Sequence, residues 1–569
     1  MPMEDIKKFI SKVRDFFDSY SEDILSVIQF TKIWMLPIFY LLIRFVVLSW
    51  GDWTNKGDSL TVWGSIYIIG ISLIPIGVFT ALDTYQYFFY HERDFSLKRL
   101  IKRTFKLDPT EMSHEKKIAM YPSVPGRYLS RKPNGFILGK YKGKYVRFRL
   151  DKKDIMMGII LGAPGVGKTA AIYLVTLIAN YMKEAAEQMV AYVLDIKPEI
   201  AAKSVEIYEN PNVRVMNPTD RNSWGWDVYY ELKEGASDSE VIKVLNDIAS
   251  ALIVSDNPKD KFFTTSATRV FTGMMLYYYK KDFCFIDSVN EIISQPMDAH
   301  LKKILADKKI ATKNSKVVSL LSSYVGKDSD AVTDIELSLQ ENLAVFLYDD
   351  VRYMLRDNPL KACPEDLNNG ISLFNSFPEE LLNDASYPTL FRLMSTQVLH
   401  AMQKRSPSSQ PCALILDECA RIGKLPGLTD CLATCRSRKV SIWMAFQSPS
   451  QIEEVYGKET SRSIQNLCRI KAILECADNP SQKVFSEMAG QYREVKTTVS
   501  EGEHGSKTSK TYEWRKILEP ADLMSLDEKE EIVLFIKGRY MRIDKHYYFE
   551  DSVLNDRYLQ LIDINGYEE

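Results

Sequence analysis

Residues 60–82 (LTVWGSIYIIGISLIPIGVFTAL) form an apolar run without a single charge. As a helix rising about 1.5 Å per residue, they reach about 34 Å, enough for a hydrocarbon core of ~30 Å. Residues 33–50 are a second expected span, interrupted by Arg44. Its Leu, Ile, Phe and Val residues contribute roughly −3 to −7 kcal/mol to insertion, against about +2.5 to +3.5 for Arg44. The short linker Gly51–Ser59 makes the pair a helical hairpin. Before it, Ile6, Phe9, Val13, Phe16, Tyr20, Ile24 and Val27 recur at helical spacing over residues 5–28. That pattern fits an amphipathic helix on a membrane surface and, equally, a helix packed on a neighbour. Beyond residue 153 the pattern turns to short apolar runs alternating with helical periodicity, which predicts a parallel sheet covered on both faces. The expected strands are Asp154–Leu161, Met189–Asp195, Val213–Asn217, Ile371–Phe377, Ala413–Leu416, Val440–Phe446, Ile470–Glu475, Ile532–Ile536 and Arg542–Tyr548. Phe136–Lys140 and Lys144–Leu150 read as a strand pair around Gly143. Strands stop between about 236 and 350, where only helical spacing remains. Residues 497–512, polar and rich in Gly and Ser, read as a mobile loop.

These patterns divide the 569 residues into five parts. They are an amphipathic segment (1–32), the transmembrane hairpin (33–90), a first α/β part (91–235), an all-α insertion (236–350), and a second α/β part with the tail (351–569), the two α/β parts being the nucleotide-binding domain on the motif at Gly162–Thr169. Lysine and arginine flank the hairpin on its outer sides (Lys7, Lys8, Lys12, Arg14 and Lys32 before it; Arg93, Lys98, Arg99, Lys102, Arg103 and Lys106 after it), whereas the linker holds only Lys56. Both termini are therefore expected in the cytoplasm. The excess of basic residues over 91–153 suits anionic head groups. The net charge of −2 gives no global signature of nucleic-acid binding, so any such contact must come from local patches. Eight cysteines occur without a CxxC pair, and their spacing fits buried free thiols better than zinc.

Gly162-Ala163-Pro164-Gly165-Val166-Gly167-Lys168-Thr169 matches the phosphate-binding loop G-x-x-x-x-G-K-T between an apolar strand and a helix. Its backbone amides and the helix end hold phosphates, Lys168 reaches the β and γ phosphates, and Thr169 ligates magnesium. Asp417 closes the strand Ala413–Leu416 and is the expected magnesium anchor; Glu418 is the candidate general base, the alternative being a solvated loop carboxylate. Two acids leaving a strand end alternate in direction, so one faces the metal and the other the water. Gln447, ending the next strand, suits a γ-phosphate sensor, or simply a turn. Arg436 and Arg438 lie between the two strands; an arginine supplied across a subunit interface stabilises transition-state charge, and a surface salt bridge is the competing explanation. Asp195 and Lys197 either line the site or cap a helix. Tyr277-Tyr-Tyr-Lys-Lys281 has stacking and charge suited to single-stranded DNA, but core packing explains it better.

With these residues in hand, the chain resembles the TraG/TraD-type coupling proteins of type IV secretion. The matching blocks are Leu161–Thr169, Tyr192–Ser204, Val215–Trp226, Ala413–Lys424, Leu432–Arg438 and Phe446–Gln451, in order and spacing, and the resemblance spans nearly the whole chain. It implies an α/β fold: a RecA-like P-loop NTPase domain with an inserted all-α domain and an N-terminal transmembrane hairpin. It implies a membrane-anchored ATPase, a homo-hexamer using ATP and Mg2+, that recruits a relaxase with single-stranded DNA and delivers it to the type IV secretion channel of the bacterial inner membrane. It makes Arg436 the trans-acting arginine and Gln447 the sensor, with Lys168 and Glu418 completing the catalytic set. Two departures stand out: Cys435 and Pro198 occupy positions where the family often has glycine. The alternatives are an FtsK/HerA-like DNA pump, which would need a winged-helix reader that the residues past 549 are too few to form, and a membrane adaptor holding ATP structurally.

Overall fold

The computed structural model describes residues 124–150, 156–254, 261–326, 329–502 and 505–567. The expected segments 5–28, 33–50 and 60–82 lie outside these residues. Among the described residues no helix is long and apolar enough to cross a membrane.

The sheet strands that matter here are β1 (Phe136–Tyr141), β2 (Lys144–Phe148), β3 (Gly158–Leu161), β4 (Val190–Asp195), β5 (Val213–Met216), β6 (Ser372–Ser376), β7 (Cys412–Leu416), β8 (Val440–Phe446), β9 (Ile470–Ile473), β10 (Glu531–Ile536) and β11 (Arg539–Asp544). Their spatial order is β2-β1-β11-β10-β9-β3-β8-β7-β4-β6-β5. From β9 to β5 every pair is parallel; from β9 to β2 every pair is antiparallel. The central strands are buried on both faces, which is why they read as unbroken apolar runs. The chain alternates here between strands and helices, and a parallel sheet puts all their C-terminal ends on one edge, where ligands bind in such folds.

Close packing fixes the register of the central pair. Gly158 lies opposite Trp443, and a Cβ at Gly158 would come within 2.3 Å of the indole. The indole is fully buried and stacks on Phe136, ring centroids 3.7 Å apart. Only glycine leaves room for that ring on the strand that leads into the phosphate loop.

Helices fill the stretch between β5 and β6: Asp238–Leu252, Lys261–Tyr279, Phe285–Ile293, Met297–Ala306, Lys316–Leu321 and Ser329–Leu343. The first is closed by a capping box between Ser237 and Glu240. Tyr277 and Tyr278 are buried here, and Lys281 pairs with Asp307 at 3.2 Å. The core explanation of that aromatic run therefore accounts for it.

Some segments differ from expectation. The strand expected at Arg542–Tyr548 is observed at Arg539–Asp544, and Tyr548–Glu550 forms a short turn. Residues 497–512 fall within a long antiparallel hairpin, Gln491–Gly502 with Gly505–Lys516, in continuous register, not a loop. The Thr, Val, Tyr and Trp content of the two arms carries β propensity that the Gly/Ser count conceals. The hairpin belongs to a compact unit separate from the sheet and helices. The tail contains the helix Ser552–Asn565, N-capped by Asp551. Its Leu554 and Tyr558 join Ile137, Leu174, Val175 and Ile178 in one core cluster. Asn565 ties it down, donating to the carbonyls of Ala202 and Val205 at 2.8 Å each.

Candidate nucleotide site

The loop after β3 carries the phosphate-binding motif where the parallel strands end. Gly165 and Gly167 have φ of +87° and +85°, a backbone turn that side chains disfavour. Thr169–Tyr173 then opens a helix that continues over Leu174–Tyr181. Lys168 is buried, 7% exposed, and its Nζ donates to the Gly162 carbonyl at 2.8 Å. Burial pushes its pKa down, while Asp417 and Glu418 pull it back up.

Asp417 leaves the end of β7, its N–H donating to the Leu194 carbonyl at 3.3 Å. Burial pushes its carboxyl up to about 6, opposed by the Lys168 ammonium and reinforced by Glu418. Its Oδ1 is buried without a hydrogen bond of normal geometry, beside the buried phenol of Tyr173. A buried cation and a buried carboxylate with an unsatisfied oxygen, beside a glycine-rich loop that opens a helix, fit a magnesium–triphosphate pair. Lys168 and the loop amides would hold the phosphates; Asp417 and Thr169 would hold the metal. Bound there, the metal neutralises charge on the phosphate oxygens.

Glu418 sits at φ +42°, ψ +38°, a left-handed conformation that costs a non-glycine residue of order 1–3 kcal/mol and clusters at functional sites. Strand alternation therefore does not set its direction, as the sequence suggested; the left-handed turn does. Arg421, three residues on, lies 3.9 Å from Glu418 and pairs closely with Glu379, which also meets Lys197 at 3.4 Å. This chain of alternating charges runs along the sheet edge from β4 through the turn after β6 to β7. Arg421 and Glu379 were not singled out from sequence, although Arg421 lies in the same block as the two acids.

Gln447 follows β8 at the same edge. Phe446 pairs with Leu161, and Gly162 N–H donates to the Phe446 carbonyl at 3.2 Å, so Gln447 starts beside the phosphate loop. Its backbone N–H is held by the Gln451 side chain at 2.9 Å, and its own side chain is exposed.

Arg436 is elsewhere. It is exposed in the turn Cys435–Arg438, which precedes β8 at the opposite edge of the sheet. Cys435 is buried, its sulfur 2.8 Å from that of Cys431, so its side chain points into the core and not along Arg436.

Asp195 has a structural task. Its Oδ2 accepts from Ala201 N–H at 3.1 Å and from Ser376 Oγ at 2.9 Å, fixing the helix Glu199–Ser204 to β6, while burial holds its carboxyl well above the usual range. Asp195→Ala strands two buried donors and is expected to cost about 2–4 kcal/mol in urea unfolding, with Asp195→Asn losing clearly less because an acceptor remains.

A family model described as "Type IV secretory system Conjugative DNA transfer" matches residues 110–565. Coupling protein TraD of Escherichia coli (strain K12) is 20% identical over 380 residues, covering 64% of this chain and 49% of TraD. Protein VirD4 of Rhizobium radiobacter is 25% identical over 174 residues, 29% of this chain and 25% of VirD4. The chain thus spans half or less of the length of these relatives. Among solved structures, the unbound conjugative coupling protein TrwBdeltaN70 superposes with a TM-score of 0.57 at 14% identity, covering 75% of this chain and 92% of that one. TrwB with the ATP analogue ADPNP gives 0.54 at 14% identity, covering 77% and 93%. These likenesses establish the fold, an α/β P-loop NTPase type with a large mixed sheet.

Proposed function

Because the chain belongs to the type IV secretory system conjugative DNA transfer family, the coupling proteins of type IV secretion, we propose that it is a membrane-anchored ring ATPase. It recruits a relaxase with its single-stranded DNA, or a protein substrate, and couples ATP hydrolysis to delivery into the secretion channel. The uncharged run 60–82 and the basic flanks around the hairpin support the anchor and two cytoplasmic termini in the inner membrane. One observation carries the motor reading: Lys168, Asp417, Glu418 and Gln447 share one sheet edge, while Arg436 stands at the other. An Arg436 lent by a neighbouring copy would complete the site at this edge, which suits a homo-hexameric ring.

In that reading Lys168 and the loop amides of Gly162–Thr169 position the triphosphate with its Mg2+. Glu418 takes the proton of the attacking water, and Gln447 orients that water or senses the γ-phosphate. Arg436 from the adjacent copy meets the charge developing on the transferred phosphoryl oxygens. The Glu418–Arg421–Glu379–Lys197 chain links the base to the ends of β4, β6 and β7.

ATP turnover by the full chain, with and without single-stranded DNA, tests the proposal. Turnover should rise with DNA, and DNA affinity should fall with salt. Three phosphate contacts alone predict a loss of roughly twentyfold between about 50 and 200 mM salt. Nucleotide bound but never hydrolysed would instead favour an adaptor, and salt-independent DNA binding would remove the DNA channel.

A further inference from the structure

The phosphate loop has an aromatic neighbour that phosphate chemistry does not use. β10 and β11 run antiparallel, Glu531 pairing with Asp544, and Lys545 N–H donates to the Glu530 carbonyl at 2.7 Å. β10 lies on β9, which lies on β3, so the chain leaves β11 at the edge where the phosphate loop begins. There a Cβ built on Gly167 would lie 2.9 Å from Tyr547 Cε1 and 3.3 Å from its hydroxyl. The phenol ring thus rests directly against the loop backbone. Phe549 stacks parallel to it, centroids 5.0 Å apart at an interplanar angle of 7°.

The rings are anchored from both sides. Lys545 is buried and ion-paired with Asp527. Glu550 Oε2 accepts from Tyr547 N–H at 3.1 Å and lies 2.8 Å from His546 Nδ1. Tyr548 points the other way, into the core cluster with Leu554 and Tyr558. Phe549 is nevertheless 55% exposed and Tyr547 partly so. The Tyr547–Glu550 bond closes the short turn Tyr548–Glu550, which sends Tyr548 into the core and leaves the two rings on the solvent side.

We infer that Tyr547, backed by Phe549, is the platform on which the base of the bound nucleoside triphosphate stacks, an inference that rests on the phosphate loop holding ATP. With the phosphates on the loop, the base must lie within a nucleotide's length of it, and this fixed aromatic pair stands against that loop. A ring held in place before binding loses little freedom when the base arrives. Every base has a π face, so the platform sets affinity without choosing between ATP and GTP.

Equilibrium binding of ATP, GTP and inorganic tripolyphosphate to the full chain, with magnesium, tests this. Tyr547→Ala should weaken ATP and GTP alike by roughly tenfold, and tripolyphosphate by less than about twofold. Tyr547→Phe, which keeps the ring, should restore nucleotide affinity. Phe549→Ala should cost nucleotide a smaller factor and tripolyphosphate nothing. Equal losses for ATP and tripolyphosphate would mean that Tyr547 only shapes the loop, and unchanged ATP affinity would place the base elsewhere; either result overturns the platform. Failure of the wild-type chain to bind even tripolyphosphate would overturn the phosphate-loop reading itself, and the platform with it.

Discussion

Arg436→Ala is expected to slow ATP turnover by about 10³-fold or more while leaving nucleotide affinity nearly intact. The geometry dictates both halves of that result. Arg436 precedes β8, whereas the phosphate loop meets the end of that strand, and seven residues of strand put about 20 Å between the two edges. No side chain bridges that gap, so Arg436 cannot touch the phosphates of its own subunit. In the proposed ring the neighbour's nucleotide is its target, and binding, which uses Lys168 and the loop amides, proceeds without it. The same geometry makes the mutant poisonous. If one silent interface stalls a ring of six, one part mutant to four parts wild type leaves roughly a quarter of the activity. Activity declining only in proportion to the mutant fraction would show that Arg436 serves no neighbour. Arg436→Lys should recover little, because a point charge does not reproduce the planar fork of the guanidinium.

Much of this was legible in the sequence because it is local. The apolar runs that became β3, β7 and β8 are short, unbroken and followed by chemistry-bearing residues, as strands buried on both faces must be. Helical spacing over about 236–350 announced helices, and helices stand there from Asp238 to Leu343. What stayed hidden depends on tertiary contact. The left-handed turn at Glu418 has no sequence mark, since the residue is not glycine and the turn is imposed by what surrounds it. For Asp195 the sequence left site lining and helix capping open, and the Ala201 and Ser376 contacts reveal the structural task. Tyr547 reaches Gly167 across most of the sequence, through two antiparallel strand pairings that no local pattern encodes. The hairpin Gln491–Lys516 was misread because turn-forming composition outweighed its β-forming residues.

Lys168→Ala is expected to abolish transfer and to lower ATP turnover by at least about 10³-fold, although the protein still reaches the membrane. The amine is the one cation buried within the phosphate loop, and burial has already stripped it of water, so its field reaches the phosphates with little screening. Removing it also deprives Asp417 of the opposing charge that keeps its carboxyl from rising above about 6. Asp417 can answer by taking up a proton, so the loss of stability should stay near 1–2 kcal/mol and not reach the cost of an abandoned buried charge. Thermal unfolding therefore separates the two effects: a small shift in midpoint with turnover gone. Lys168→Arg sharpens the distinction. It returns the charge and hence the stability, but a planar guanidinium cannot occupy the space of an ammonium folded onto the Gly162 carbonyl, so turnover should stay low. Normal transfer by the Lys168→Ala protein would end the ATPase reading, because no other cation is placed within this loop to take over its task.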